Sequence, residues 1–114
     1  MTAVTFFRSG DMLWGFRAKG HSGYAEEGSD IVCAAVSALT QTAQLGLAKV
    51  AGALGRSVYD EEKALLEVHA SPSDEKSGFA AQVILRTLEE GILDIEQQYP
   101  EFVRVTYQER RQTK

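Results

Sequence analysis

The feature that most constrains this chain is its alternation of short strand-like segments with two long helical patterns. Alternating apolar and polar residues predict strands, and apolar residues in steps of three and four predict helices that begin near residues 29–30 and 74. The predicted strands are residues 3–8, 12–19, 57–59, 64–70 and 102–107. The order β-β-α-β-β-α-β predicts an α+β fold, with two layers, a mostly antiparallel sheet and both helices on one face.

Each predicted helix has one apolar face that should be buried. On the first helix these residues are Val32, Val36, Leu39, Ala43, Leu47, Val50 and Leu54. On the second they are Phe79, Val83, Ile84, Leu88, Ile92 and Ile95. The 114 residues fit one domain, 1–114, in which residues 108–114 are expected to form a disordered basic tail.

The amino-acid composition argues against several classes of function and location. A formal net charge of −4 argues against direct nucleic-acid binding, which depends on neutralising phosphates. The single cysteine excludes an internal disulfide and suits a reducing cytoplasm. No signal peptide and no membrane span are expected, so the protein is predicted to be cytoplasmic with no membrane partner.

A glycine-rich loop follows the second strand and leads into the first helix. It contains Gly20, Gly23 and Gly28, and ten residues without periodicity are a long connection for so small a domain. The glycines are either ordinary turn residues or hinges of a lid that closes over an extended peptide. The residues assigned to this substrate loop are Gly20, Ser22, Gly23, Tyr24, Gly28 and Ser29.

Cys33 is the candidate nucleophile. If Asp30 caps the helix, Cys33 is the third helical residue, where free backbone N–H groups and the helix dipole stabilise a thiolate and could also receive an oxyanion. The alternative is that Cys33 is a small buried hydrophobic residue, as most free cysteines are.

His21 is the candidate base, because it starts the flexible loop twelve positions before Cys33 and the loop allows the chain to fold back. The alternative is a solvated surface histidine. The other histidine, His69, ends a strand and is interpreted as structural. With His21, Cys33 and His69 scattered and no cysteine pair present, neither zinc nor another cofactor is predicted.

Asp30 and Ser37 are candidate supporting residues, because their spacing from Cys33 places them near the same helix face. Asp30 would orient the His21 imidazole, or it is simply the helix N-cap. Ser37 would hydrogen-bond within the site, or its hydroxyl bonds back to the carbonyl of Cys33.

The segment that runs from Gly20-His21 to Asp30-Ile31-Val32-Cys33-Ala34 and Ser37-Ala38-Leu39 resembles the signature of the ribosomal-processing cysteine protease family, Prp. The resemblance implies a homodimeric endopeptidase that removes the N-terminal extension of a large-subunit ribosomal protein, cutting after a Phe-Phe pair. It implies Cys33 as nucleophile, His21 as base, Asp30 and Ser37 in supporting positions, and a loop that becomes ordered around the substrate.

A non-catalytic, ribosome-associated peptide-binding module is the main alternative. In that case the glycine loop grips an extended peptide, Cys33 belongs to the core, and the acidic chain is attracted to a basic ribosomal protein. A thiol-redox or metal-binding domain is less well supported, because the chain offers neither a second cysteine nor a ligand cluster.

Overall fold

The first two strands form a hairpin at the centre of a five-stranded sheet. The structure is a computed structural model that describes residues 1–20 and 29–110, with side chains described for 1–20 and 31–110. The elements are β1 (Thr2–Ser9), β2 (Met12–Lys19), α1 (Ser29–Leu45) continued by a π-helical segment (Gly46–Val50), β3 (Leu54–Asp60), β4 (Leu65–Ala70), α2 (Glu75–Gln98) and β5 (Val103–Glu109).

The strand order in the sheet is β3-β4-β2-β1-β5. Every neighbouring pair is antiparallel except β1 and β5, which run parallel because α2 carries the chain back across the sheet before β5 begins. The predicted α+β fold class, with a mostly antiparallel sheet and two helices, is confirmed.

One hydrophobic core lies between the sheet and the two helices. Alternate strand residues contribute to it, among them Val4 and Phe6 of β1 and Phe16 of β2. The helix residues buried against them are Val32, Val36, Ala43, Leu47, Ala81, Leu85, Leu88 and Ile92. Both helices therefore cover the same face of the sheet.

The apolar faces of the helices are partly different from those predicted. On α1, Leu39 is 37% exposed, whereas Thr40 is buried. Val50, at the end of the π-helical segment, is 82% exposed. Thr40 can occupy a core position because its hydroxyl donates to the carbonyl of Val36, at 2.9 Å. On α2, Phe79 is 74% exposed, because the buried stripe of that helix begins at Ala81.

The C-terminal strand is longer than expected. β5 continues through Gln108 and Glu109, the first two residues of the segment assigned to a basic tail. The N–H of Arg110 then donates to the carbonyl of Arg8 at 2.8 Å, and the Arg110 guanidinium lies 3.9 Å from the ring centre of Phe7. Residues 111–114 lie outside the described residues.

One helical stretch, Ile31–Val50, is long and apolar enough to cross a membrane by length and composition, with a mean hydropathy of 1.5. The expectation that no segment approaches a membrane span is therefore wrong on those two criteria. In the fold, this stretch supplies Val32, Val36 and Leu47 to the core, and the core helix of a globular protein satisfies the same criteria.

Candidate functional site

A groove of about 580 Å³ lies where the start of β1 and the end of β2 meet α1 and the β3–β4 hairpin. Among the residues that the structure describes, those that line it are Thr2, Ala18, Gly20, Cys33, Val36, Ser37, Thr40, Gln41, Gln44, Tyr59, Ala64, Leu65 and Leu66. None of these lining residues carries a formal charge. Aliphatic side chains and the exposed ring of Tyr59 give the groove apolar surface, so it suits an uncharged, partly apolar ligand.

Cys33 is half-buried and forms part of the groove wall, so the interpretation of this cysteine as a fully buried core residue is wrong. Its thiol is free. A half-buried thiol in a groove combines access for a ligand with partial exclusion of water, as a nucleophile requires.

The helix α1 begins earlier in the sequence than it would if Asp30 were its N-cap residue. Because α1 starts at Ser29, Asp30 lies within the first turn and Cys33 is the fifth helical residue rather than the third. An α-helical N–H at this position bonds to the carbonyl four residues earlier, and the helix dipole weakens beyond the first turn. The helix terminus therefore offers less to a Cys33 thiolate than the sequence suggested.

Among the residues that the structure describes, the hydrogen-bond partner of the Cys33 sulfur comes from another element. The Thr2 hydroxyl lies 3.0 Å from Cys33 Sγ, and either atom can be the donor. Thr2 opens β1 and is buried, so a strand residue contacts a helix residue 31 positions later in the chain. The Thr2 hydroxyl therefore gives the Cys33 sulfur a polar contact that the N-terminus of α1 does not provide.

Ser37 lines the groove one turn after Cys33, as its spacing predicted. Its hydroxyl accepts a hydrogen bond from the side-chain amide of Gln41, with Nε2 and Oγ 2.7 Å apart. Among the described side chains, this bond takes the place of the expected bond from Ser37 back to the carbonyl of Cys33. Ser37 and Gln41 together present a hydroxyl and an amide to the groove.

Gly20 brings the end of β2 to the same groove. Its N–H donates to the carbonyl of Ala64 at 2.8 Å, which ties it to the turn between β3 and β4. The next residues in the chain, including His21, Ser22, Gly23, Tyr24 and Gly28, lie outside the described residues. Ser29 and Asp30 are described only as the start of α1.

His69 lies on the sheet face that points away from the helices. Its ring stacks on Phe7 with centroids 5.1 Å apart, and its Nε2 donates to Glu67 Oε2 at 2.7 Å. The hydrogen bond from His69 lowers the pKa of Glu67, aided by the charges of His69 and Arg17 and opposed by burial. This packed arrangement outside the groove agrees with a structural role for His69.

Metal binding has no visible basis in the part of the chain that the structure describes. Within residues 1–20 and 31–110, no three His, Cys, Asp or Glu side chains lie close enough together to hold a metal ion. The chemistry available in the described groove is that of a thiol, hydroxyls and amides.

The sequence did not identify Thr2, Gln41 or Tyr59 as groove residues. A signal existed for Thr2, because it lies two residues before Val4 on the helix-facing side of β1, where an apolar residue would be expected. Gln41 follows Ser37 by one helical turn. No sequence pattern pointed to Tyr59, whose place in the groove depends on the pairing of β3 with β4.

One comparison with known proteins identifies a family. A family model described as Cysteine protease Prp matches residues 1–104. The crystal structure of SMU.848 from Streptococcus mutans is 29% identical, with a TM-score of 0.83 and 96% of both chains covered. Among curated proteins, none matches the chain.

Two further crystal structures share the fold. Both are of the ribosomal processing protease Prp from S. aureus, and in each the match covers 95% of this chain and all of the other. The complex with a substrate peptide is 23% identical with a TM-score of 0.83. The complex with a covalently linked product peptide is 24% identical with a TM-score of 0.78.

Proposed function

The chain belongs to the cysteine protease Prp family, and from that premise we propose that it removes the N-terminal extension of a large-subunit ribosomal protein by a single endoproteolytic cut. The observation that carries the proposal is the half-buried Cys33 thiol in a groove whose wall also contains Gly20. Gly20 directly precedes the candidate base, His21.

In the proposed reaction, Cys33 and His21 act as a pair. His21 takes the proton from the Cys33 thiol, and the thiolate attacks the carbonyl carbon of the scissile peptide bond. The tetrahedral intermediate collapses, His21 returns the proton to the leaving amine, and an acyl-enzyme remains on the sulfur. Water activated by His21 then hydrolyses the thioester and releases the N-terminal fragment.

Asp30 and Ser37 are proposed to support this pair. Asp30 lies inside the first turn of α1, one turn before Cys33, and it is proposed to orient the imidazole of His21. The Ser37 hydroxyl, held by Gln41, is proposed to donate its own hydrogen to the bound peptide.

The groove chemistry supports a substrate with apolar side chains next to the cut. The described lining, which includes Val36, Leu65, Leu66 and Tyr59 and no charged residue, suits phenylalanine side chains, and an aromatic pair packs well in offset or edge-to-face geometry. The related S. aureus protease was crystallised with a substrate peptide and with a covalently linked product peptide. We propose a Phe-Phe cleavage motif and a covalent intermediate for this chain as well.

The remaining parts of the proposal concern the setting of the reaction. The loop from Ser22 to Ser29 is proposed to become ordered over the bound peptide, and the protein is proposed to act as a cytoplasmic homodimer without a cofactor. The acidic net charge of −4 favours encounter with a basic ribosomal protein.

Incubation with the precursor of the ribosomal protein, followed by mass spectrometry, tests this function. The wild type should give one cut after Phe-Phe, and Cys33→Ala and His21→Ala should give none. His69→Gln is the matched control, because it removes the other histidine of the chain, and it should still cut. A folded Cys33→Ala variant with full activity would falsify the proposal, whereas binding without any cut by the wild type would support the peptide-binding module.

A further inference from the structure

We propose that Thr2 is a positioning residue whose buried hydroxyl holds the Cys33 sulfur and donates a hydrogen bond to its anionic form. The inference rests on the proposed function, because Thr2 has this role only if Cys33 reacts as a thiolate. It adds a residue that lies outside the Gly20–Leu39 segment and comes from the first strand, β1.

The backbone holds Thr2 firmly. Its N–H donates to the carbonyl of Phe102 at 2.7 Å, and it pairs with Val103 across the parallel β1–β5 ladder. Its side chain lies on the helix-facing side of β1, as those of Val4 and Phe6 do, and Thr2 is only 3% exposed. A β-branched side chain has few rotamers, so this backbone position directs the hydroxyl toward α1.

The contact between the hydroxyl and the sulfur is selective for the thiolate. A neutral thiol can donate to the Thr2 oxygen or accept from it, and both bonds are weak. A thiolate has no proton, so the hydroxyl becomes the donor, and a hydrogen bond to a charged acceptor is roughly twice as strong as a neutral one. Thr2 keeps its own proton throughout and therefore acts only through the sulfur.

Packing alone does not account for a hydroxyl at this position. Valine has the shape of threonine without the polar group and would fill the same space between sheet and helix without needing a partner. Thr40 is the useful contrast, because its buried hydroxyl in the same groove donates to the carbonyls of Val36 and Ser37 within its own helix. The Thr2 hydroxyl instead bonds a side chain that the proposed reaction uses.

Alkylation of Cys33 by iodoacetamide as a function of pH tests the proposal without a substrate. In Thr2→Val, the midpoint of the rate profile should move up by about one pH unit, and alkylation at pH 6 should slow by about tenfold. Thr2→Ser, which restores a hydroxyl, should return the profile toward the wild type. Thr5→Val, the matched control, removes a hydroxyl of the same strand that bonds Thr106 and does not line the groove, so it should leave the midpoint unchanged. Circular dichroism should show that all variants are folded.

The possible outcomes separate the two proposals. If Thr2→Val has the wild-type midpoint, Thr2 has no effect on the thiolate and the inference is overturned, even if cleavage of a Phe-Phe peptide slows through altered packing. If Thr2→Val fails to fold, Thr2→Ala provides the same comparison, with the same midpoint shift expected. Cleavage of the Phe-Phe peptide by folded Cys33→Ala would instead contradict the proposed function itself, regardless of the alkylation profiles.

Discussion

Replacing Gln82 with methionine should destabilise the fold strongly, because the Gln82 side-chain amide forms two hydrogen bonds with the backbone of Leu13, beyond the end of the β2–β4 ladder. Its Oε1 accepts from the N–H of Leu13 at 2.9 Å, and its Nε2 donates to the carbonyl of Leu13 at 2.6 Å. The ladder between β2 and β4 covers only Gly15 to Lys19, so Leu13 has no β4 partner. A side chain of α2 thus completes the hydrogen bonding of β2 at a buried position.

The size of the effect follows from the two bonds that are lost. Each is worth about 1 kcal/mol net, and leaving a buried N–H and carbonyl without partners adds a desolvation cost of about 1–3 kcal/mol for each group that water cannot reach. Gln82 itself is only half-buried, so water can reach part of the vacated site. The expected loss is therefore about 2–4 kcal/mol, or a fall in Tm of roughly 8–16 °C for a domain of this size.

Urea unfolding followed by circular dichroism measures this loss. Methionine has nearly the same length and helix propensity as glutamine, so the substitution changes little except the hydrogen bonds. Gln98→Met is the matched control, because Gln98 is exposed on the same helix and its amide bonds Asp94 one turn away rather than a strand. The reasoning is refuted if Gln82→Met unfolds within about 0.5 kcal/mol of the wild type, the usual range for a surface substitution.

Two further predictions concern a close contact and a titration. Gly15→Ala should destabilise the protein by about 3 kcal/mol or more in urea unfolding, because the added Cβ would overlap the carbonyl oxygen of Val68. In the control, Gly78→Ala, the added Cβ meets only ordinary contacts, so this variant should be more stable than the wild type by about 0.5–1 kcal/mol. Equal stabilities of the two variants would contradict this prediction. Burial and a hydrogen bond to Glu89 raise the pKa of Tyr107 to about 12. The folded state therefore keeps a proton that the unfolded chain loses near pH 10, and the free energy of unfolding should fall as the pH rises from 10 to 12. Tyrosinate absorbance should show a late component that Tyr107→Phe removes, and superimposable curves would contradict the assignment.

The element order was predictable because local periodicity encodes it. Alternation in β1 and β2 and the Asp74 cap of α2 are local signals, and the structure contains each of them. The phase of the helix faces was less predictable, because a polar residue such as Thr40 can be buried when its hydroxyl bonds within the helix. Apolar spacing alone placed Leu39 in the core instead.

The candidate site was predictable only where it is local in sequence. Cys33, Ser37 and Gly20 belong to one continuous segment, and the structure brings all three to one groove. Tyr59 joins them through a strand pairing that no local pattern encodes. Thr2 has a local signal as a polar residue on the helix-facing side of β1, but its place in the groove also depends on the parallel pairing of β1 with β5. The pairing of strands that are distant in the sequence therefore determines this part of the groove, and local sequence patterns do not predict that pairing.

The central claim, covalent catalysis by Cys33, is tested most directly by trapping the acyl-enzyme. The wild type is mixed with a peptide that contains Phe-Phe, quenched in acid after short times, and analysed by intact-protein mass spectrometry. The mechanism predicts a transient adduct with the mass of the N-terminal acyl fragment, located on Cys33 by peptide mapping and absent from Cys33→Ala. Peptide cleavage at the wild-type rate by folded Cys33→Ala, or an adduct that maps to another residue, would contradict it.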